Sequence, residues 1–101
     1  MAKQYIFDRS IKELSKDELA KTTSETALDG KEKVLAYLKQ FPECAFTSAP
    51  VKDAFTGEVV YDANNARTDG TYQWYETEIF HFEKYNLKLN EEFIKYVLNR
   101  P

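Results

Sequence analysis

Arg67-Thr68-Asp69-Gly70-Thr71-Tyr72-Gln73-Trp74 is the stretch on which the fold turns. Asp69-Gly70 supplies the two residue types that most readily take the positive φ of a type I′ turn, and Tyr72 and Trp74 alternate with polar neighbours. The expectation is a β-hairpin whose second strand ends at Trp74. From Tyr75 the apolar spacing lengthens to three and four. Tyr75, Ile79 and Phe82 fall on one stripe with Phe80 beside it, which predicts a helix running to about Tyr85.

Downstream, residues 86–89 read as a connection with Leu87 and Leu89 as apolar anchors. Asn90 is placed to cap a last helix, where Glu91 and Glu92 suit the positive N-terminal end and Phe93, Ile94, Val97 and Leu98 form the buried stripe. Arg100 falls at the favourable C-terminal end.

Upstream, residues 44–48 read as a strand bounded by Pro50. Ala54-Phe55 and Val59-Val60-Tyr61 read as two short strands around Thr56-Gly57, followed by a loop over residues 62–66. Further back, Asp29 with Glu32 reads as the capped start of a helix carrying Val34, Leu35, Leu38 and Phe41, and Pro42 ends it. Hydroxyl-rich residues 22–26 favour a loop. Residues 8–21 hold two capping boxes, Ser10 with Glu13 and Ser15 with Glu18, one of which starts a helix with a thin stripe of Ile11, Leu14 and Leu19. Tyr5-Ile6-Phe7 precedes it as a small strand or anchor. The sum is one α+β domain, a small antiparallel sheet of about three to five short strands flanked by N-terminal and C-terminal helices, with residues 1–31 as a peripheral segment.

Size and composition agree with a single folded domain: 101 residues, 43% hydrophobic, 31% charged, and 15% aromatic, enough ring volume to build a small core without staples. The single Cys44 excludes an internal disulfide. No apolar run reaches membrane-spanning length and Met1-Ala2-Lys3-Gln4 leads into nothing like a signal peptide, so a cytoplasmic protein without a membrane is expected. The net charge of −3 argues against direct nucleic-acid binding. Its distribution is uneven. Residues 53–83 carry Asp53, Glu58, Asp62, Asp69, Glu76, Glu78 and Glu83 against a lone Arg67. Such a block either solubilises the surface or, if its members share a face, steers a basic partner.

Catalytic chemistry is thin. The only histidine, His81, is out of register with the Tyr75, Ile79, Phe82 stripe and reads as a surface residue near Glu78 and Lys84. Cys44 reads as a small buried hydrophobe. With two Cys and His residues in total there is no zinc set, and Asp62, Asn64, Asn65, Asp69 and Gly70 echo a calcium loop without its spacing. Gly30, Gly57 and Gly70 stand alone, so no phosphate cradle forms. Glu76 with Glu78, and Glu91 with Glu92, diverge on a helix and suit helix N-termini. No catalytic residue, metal or cofactor is expected.

Aromatic density remains. Tyr72, Trp74, Tyr75, Phe80, Phe82, Tyr85, Phe93 and Tyr96 place eight rings within 25 residues. Most belong to a core, yet Trp and Tyr are also common binding anchors. If Tyr72 or Trp74 faces outward amid Asp69, Glu76 and Glu78, these five residues form an aromatic and acidic patch suited to a basic protein. The leading expectation is therefore a non-enzymatic binding protein that docks a basic partner. Two alternatives stand beside it: an acidic mimic of nucleic acid that blocks a nucleic-acid-binding protein, and a small enzyme or ligand-binding domain whose aromatic pocket gathers Cys44 and His81.

Asp69-Gly70-Thr71-Tyr72-Gln73-Trp74, Glu83-Lys84-Tyr85-Asn86-Leu87-Lys88-Leu89 and Glu92-Phe93 together resemble a group of small bacterial proteins of no settled function. These end with an Asp-Gly turn, an aromatic strand closing in Trp, a Glu-x-Tyr helix and a Leu-rich final helix. The similarity covers roughly residues 44–98. It departs from the pattern at Tyr75 and Asn90, where a proline is expected. The resemblance implies an immunity protein, a partner that neutralises a toxin, and brings no catalytic residue.

Overall fold

The computed structural model describes residues 4–7, 9 and 11–100. Its elements, in chain order, are β1 (Gln4–Tyr5), a single 3-10 turn (Ile11–Glu13), α1 (Lys16–Lys21), α2 (Lys31–Gln40), β2 (Glu43–Ala45), β3 (Val51–Lys52), β4 (Val59–Tyr61), β5 (Ala66–Thr68), β6 (Tyr72–Tyr75), α3 (Glu76–Tyr85) and α4 (Glu91–Leu98). The class is α+β, as the segregation of periods predicts. Four strands form one sheet in the order β1-β6-β5-β2, and β3 pairs with β4 in a separate ribbon.

The expected hairpin is β5 and β6, antiparallel with Arg67 opposite Trp74. Its turn corrects the type I′ reading. Thr68 pairs with Gln73, and the Asp69 N–H donates to the Tyr72 carbonyl, so Gly70 and Thr71 are the central pair. Only Gly70 has a positive φ, whereas type I′ needs two. Asp69 serves the turn as acceptor instead: its Oδ1 takes the N–H groups of Thr71 and Tyr72 at 2.8 and 2.7 Å.

The sheet is mixed, a second correction. β1 runs parallel to β6, with Gln4 opposite Tyr72 and Tyr5 opposite Gln73. Residues 1–31 are accordingly not peripheral where they are described. Ile6, Phe7, Ile11 and Leu19 are buried in the same core as Trp74, Phe82 and Phe93. The thin stripe is thin because α1 is a helix of six residues. Ser15 and Glu18 form its capping box; the rival box lies partly outside the described residues, since it needs Ser10.

α2 begins one residue later than Asp29 implies. Gly30 occupies the N-cap with φ +86, a left-handed conformation that glycine adopts without strain. A Cβ there would also stand 2.6 Å from Leu98 Cδ2 on α4, so that side chain would have to shift. The C-terminus of α2 is completed from the sheet. Pro42 has no N–H to give the Leu38 carbonyl four residues before it. The Trp74 indole Nε1–H supplies that bond at 3.0 Å, while Arg67 Nη1 donates to the Lys39 and Phe41 carbonyls at 3.1 and 2.5 Å.

Between α2 and β5 the expected strands shift. The strand at residues 44–48 is Glu43–Ala45, and the one at Ala54-Phe55 moves upstream to Val51–Lys52. Asp53 causes the second shift, because its Oδ1 accepts from the N–H groups of Phe55 and Thr56 and folds that segment into a turn. α3 starts and stops much as its stripe predicts. Asn86, at φ +57, ends it; its side-chain amide donates to the Ser24 carbonyl and accepts from Lys31 Nζ.

Candidate functional site

Of the five residues expected at a partner-binding patch, three are inside. Trp74 has no exposed surface, Tyr72 packs edge-on against Phe93 and Tyr96, and Glu78 is buried. Tyr72 and Trp74 are alternate residues of one strand, so one face of β6 takes both into the core. Asp69 is committed to its turn and to the Tyr37 hydroxyl. Glu76 is held by Arg67 Nε at 2.7 Å, with both side chains largely covered. The patch at Asp69, Tyr72, Trp74, Glu76 and Glu78 therefore does not exist as a surface.

The acidic block dissolves in the same way. Asp53 and Glu78 are buried, Glu76 pairs with Arg67, and Glu83 pairs with Lys39 at 3.0 Å. Glu58 and Asp62 remain exposed, and among the described residues neither carboxylate enters an ion pair. They flank β4, whose Val59 and Tyr61 are two residues apart and so share a face. Both are exposed, at 56% and 44%. Tyr61 meets the Phe80 ring of α3 edge-on at 6.2 Å, and Phe46, just beyond β2, is 76% exposed. The large exposed apolar side chains among the described residues are thus Phe46, Val59 and Tyr61 in the middle of the chain and Tyr5, 55% exposed on β1, with none on the β5–β6 hairpin.

His81 overturns the surface reading. It is fully buried. Nε2 accepts the Ala54 N–H at 3.0 Å, which leaves Nδ1 to carry the proton and donate to the Thr77 carbonyl at 2.7 Å. Burial lowers its pKa, and both ring nitrogens are spent, Nδ1 on the carbonyl one turn back in α3 and Nε2 on tying the β3–β4 ribbon to α3. Cys44 is also misplaced by the sequence: it is exposed on β2, an edge strand with no buried residue. A buried, saturated imidazole and an exposed thiol do not make a nucleophile and base.

Asp53 anchors the same junction. Besides the two turn N–H groups it accepts from the Tyr85 hydroxyl at 2.6 Å and from Lys84 Nζ at 3.1 Å. Burial alone would raise its pKa, but the Tyr85 hydroxyl, the Phe55 N–H, Lys84 and the Thr56 N–H together outweigh that and hold it at about 2, against an ordinary 3.8. The ionised carboxylate therefore stabilises the fold above pH 3.8, and that contribution is lost as pH falls toward 2. Asp53→Asn is expected to cost on the order of 2 kcal/mol at neutral pH and to flatten this acid limb, read from urea midpoints between pH 2 and 7.

The neighbouring carboxyl behaves oppositely. Glu78 Oε1 accepts the Tyr75 N–H at 2.9 Å, and burial, only partly offset by that bond, raises its pKa to about 8. Among the described residues, no group of three or more His, Cys, Asp or Glu side chains could hold a metal ion. No described helix is long and apolar enough to cross a membrane. Compared with protein-family models, curated proteins and solved structures, the chain matches none.

Proposed function

We propose that this chain is a non-enzymatic binding protein that docks a basic protein through the β3–β4 ribbon. The supporting observation is the exposed pair Val59 and Tyr61 on one face of β4, with the carboxylates of Glu58 and Asp62, in no ion pair among the described residues, at its two ends. Apolar side chains at the centre of a contact supply area, and acids at its rim supply steering toward positive charge. The saturated His81 and the exposed, isolated Cys44 favour binding over catalysis. The resemblance to immunity-like proteins points to a toxin as the partner.

The test is capture from a lysate at low salt, run side by side with the wild type and with Val59→Ser/Tyr61→Ser. A basic protein retained stoichiometrically by the wild type, released by moderate salt and held at least tenfold more weakly by the variant is the expected result. Glu58→Gln/Asp62→Asn should then slow association and reduce its salt dependence. Equal retention by wild type and variant, or none by either, overturns the reading. Displacement of the captured protein by DNA would identify the partner's own site as a nucleic-acid surface.

A further inference from the structure

A cleft of about 820 Å³ lies on the other side of the ribbon's junction with α3. One wall comes from the N-terminal segment, with Phe7, Ile11 and Leu14; the other from Val51 and Ala54; and α3 contributes Glu78. Its volume falls in the range of pockets that accommodate drug-sized organic molecules, and its walls are mostly apolar.

Two buried carboxyls line this cleft, and they differ in what they have left to offer. Asp53 has both oxygens engaged by four donors. Glu78 has Oε1 on the Tyr75 N–H, and among the described residues Oε2 makes no hydrogen bond. The residue keeps 6% of its surface exposed, so the free oxygen is not sealed off. Nor, among the described residues, does a cation of the protein reach it. Arg9 is bound to Glu18, and Lys52, on the exposed side of β3, makes no ion pair with Glu78. A largely buried carboxyl in a mostly apolar cleft, with no counter-charge on it among the described residues, lacks what a cation would bring.

We propose that this cleft is a binding site for an organic amine, whose apolar body fills the space between Phe7, Leu14 and Val51 and whose ammonium group donates to Glu78 Oε2. Because burial keeps the Glu78 carboxyl protonated in the empty protein at neutral pH, an arriving ammonium converts it to the carboxylate. One proton leaves Glu78 for solvent as the ion pair forms, and no covalent bond changes. Among the described residues, the charged and titratable groups around it are Tyr5 and Arg9 from the N-terminal segment, Lys52 and Asp53 from the β3 region, Tyr75 before α3, and the neutral His81 one turn along α3. Arg9 and Asp53 are already paired, and Lys52 would disfavour a second cation only at the rim.

The experiment uses three probes of nearly equal shape: tryptamine, its neutral alcohol tryptophol, and indole-3-acetate. Calorimetric titration of the full chain at pH 7, in buffers of different ionisation enthalpy, gives both affinity and proton count. Tryptamine is expected to bind at least tenfold more tightly than tryptophol, with close to one proton released, and indole-3-acetate most weakly. Its affinity should rise about tenfold per pH unit below pH 8 and level off above it, a readout that needs no variant. Glu78→Gln, which can keep the bond to the Tyr75 N–H, should abolish the preference for tryptamine and the proton release while leaving tryptophol binding within twofold. Equal affinities for the three probes, no binding by any, or tryptamine binding without proton release would each overturn the assignment.

Discussion

Trp74→Ala is expected to lower the unfolding free energy by on the order of 4 kcal/mol, read as a shift of the urea midpoint at unchanged slope. Two losses combine. The indole is fully buried, with the rings of Tyr37, Phe41 and Phe93 at 6.1, 5.8 and 5.9 Å, so its removal opens the centre of the core. It also strips the donor from the Leu38 carbonyl, which Pro42 cannot serve. Trp74→Phe separates the two. It retains a ring but no N–H, and should cost about 1 to 3 kcal/mol, the toll of a buried acceptor left unpaired plus a smaller void. A phenylalanine variant as stable as the wild type would show that the Leu38 carbonyl finds another donor.

Glu78→Gln should raise stability by on the order of 4 kcal/mol at pH 9 and leave it nearly unchanged at pH 4. The folded pKa, about 8, lies above the ordinary 4.5, so the native state binds more protons than the unfolded chain between those values. Stability contributed by the neutral carboxyl is complete below pH 4.5 and is lost as pH rises through 8. Glutamine keeps an acceptor for the Tyr75 N–H and has no charge to bury. His81 slopes the other way, since burial lowers its pKa and the unfolded chain takes up the proton first as pH falls below 6.5. The difference between wild type and Glu78→Gln cancels that contribution, provided both are measured across the same pH series. Parallel curves for the two proteins would mean that Glu78 ionises in the fold at no cost.

Much of the fold is legible because its signals are local. The stripes of Phe93 with Val97, and of Ile79 with Phe82, set α4 and α3; Ser15 with Glu18 sets α1. What escapes is non-local. Nothing in Gln4-Tyr5 announces a parallel partner 68 residues away, because pairing depends on the space that β6 leaves at its edge. His81 misleads for a related reason. Its stripe position says surface, but the Ala54 N–H arrives from a turn that Asp53 folds, and that turn hides behind the apparent strand residues Ala54 and Phe55. The expected patch fails because Tyr72, Trp74 and Glu78 carry binding chemistry and core chemistry equally well, and only the sheet's neighbours decide. The cleft at Glu78 was not readable at all. Its walls come from three distant segments, and the decisive property of Glu78, a largely buried carboxyl with one oxygen left open to the cleft, is a fact of packing.

The parallel seam of β1 and β6 also bears on when the molecule can exist. The Ile6 carbonyl accepts from the Asn90 N–H, Gln4 of β1 pairs beside Tyr72, and Leu98 of α4 lies against Gly30 at the α2 N-cap. The early residues therefore have no half-built structure to wait in. While the chain is being made, Ile6, Phe7 and Leu19 cannot complete their native packing until Phe93 and Val97 have left the ribosome, which places the closing of this core late in synthesis.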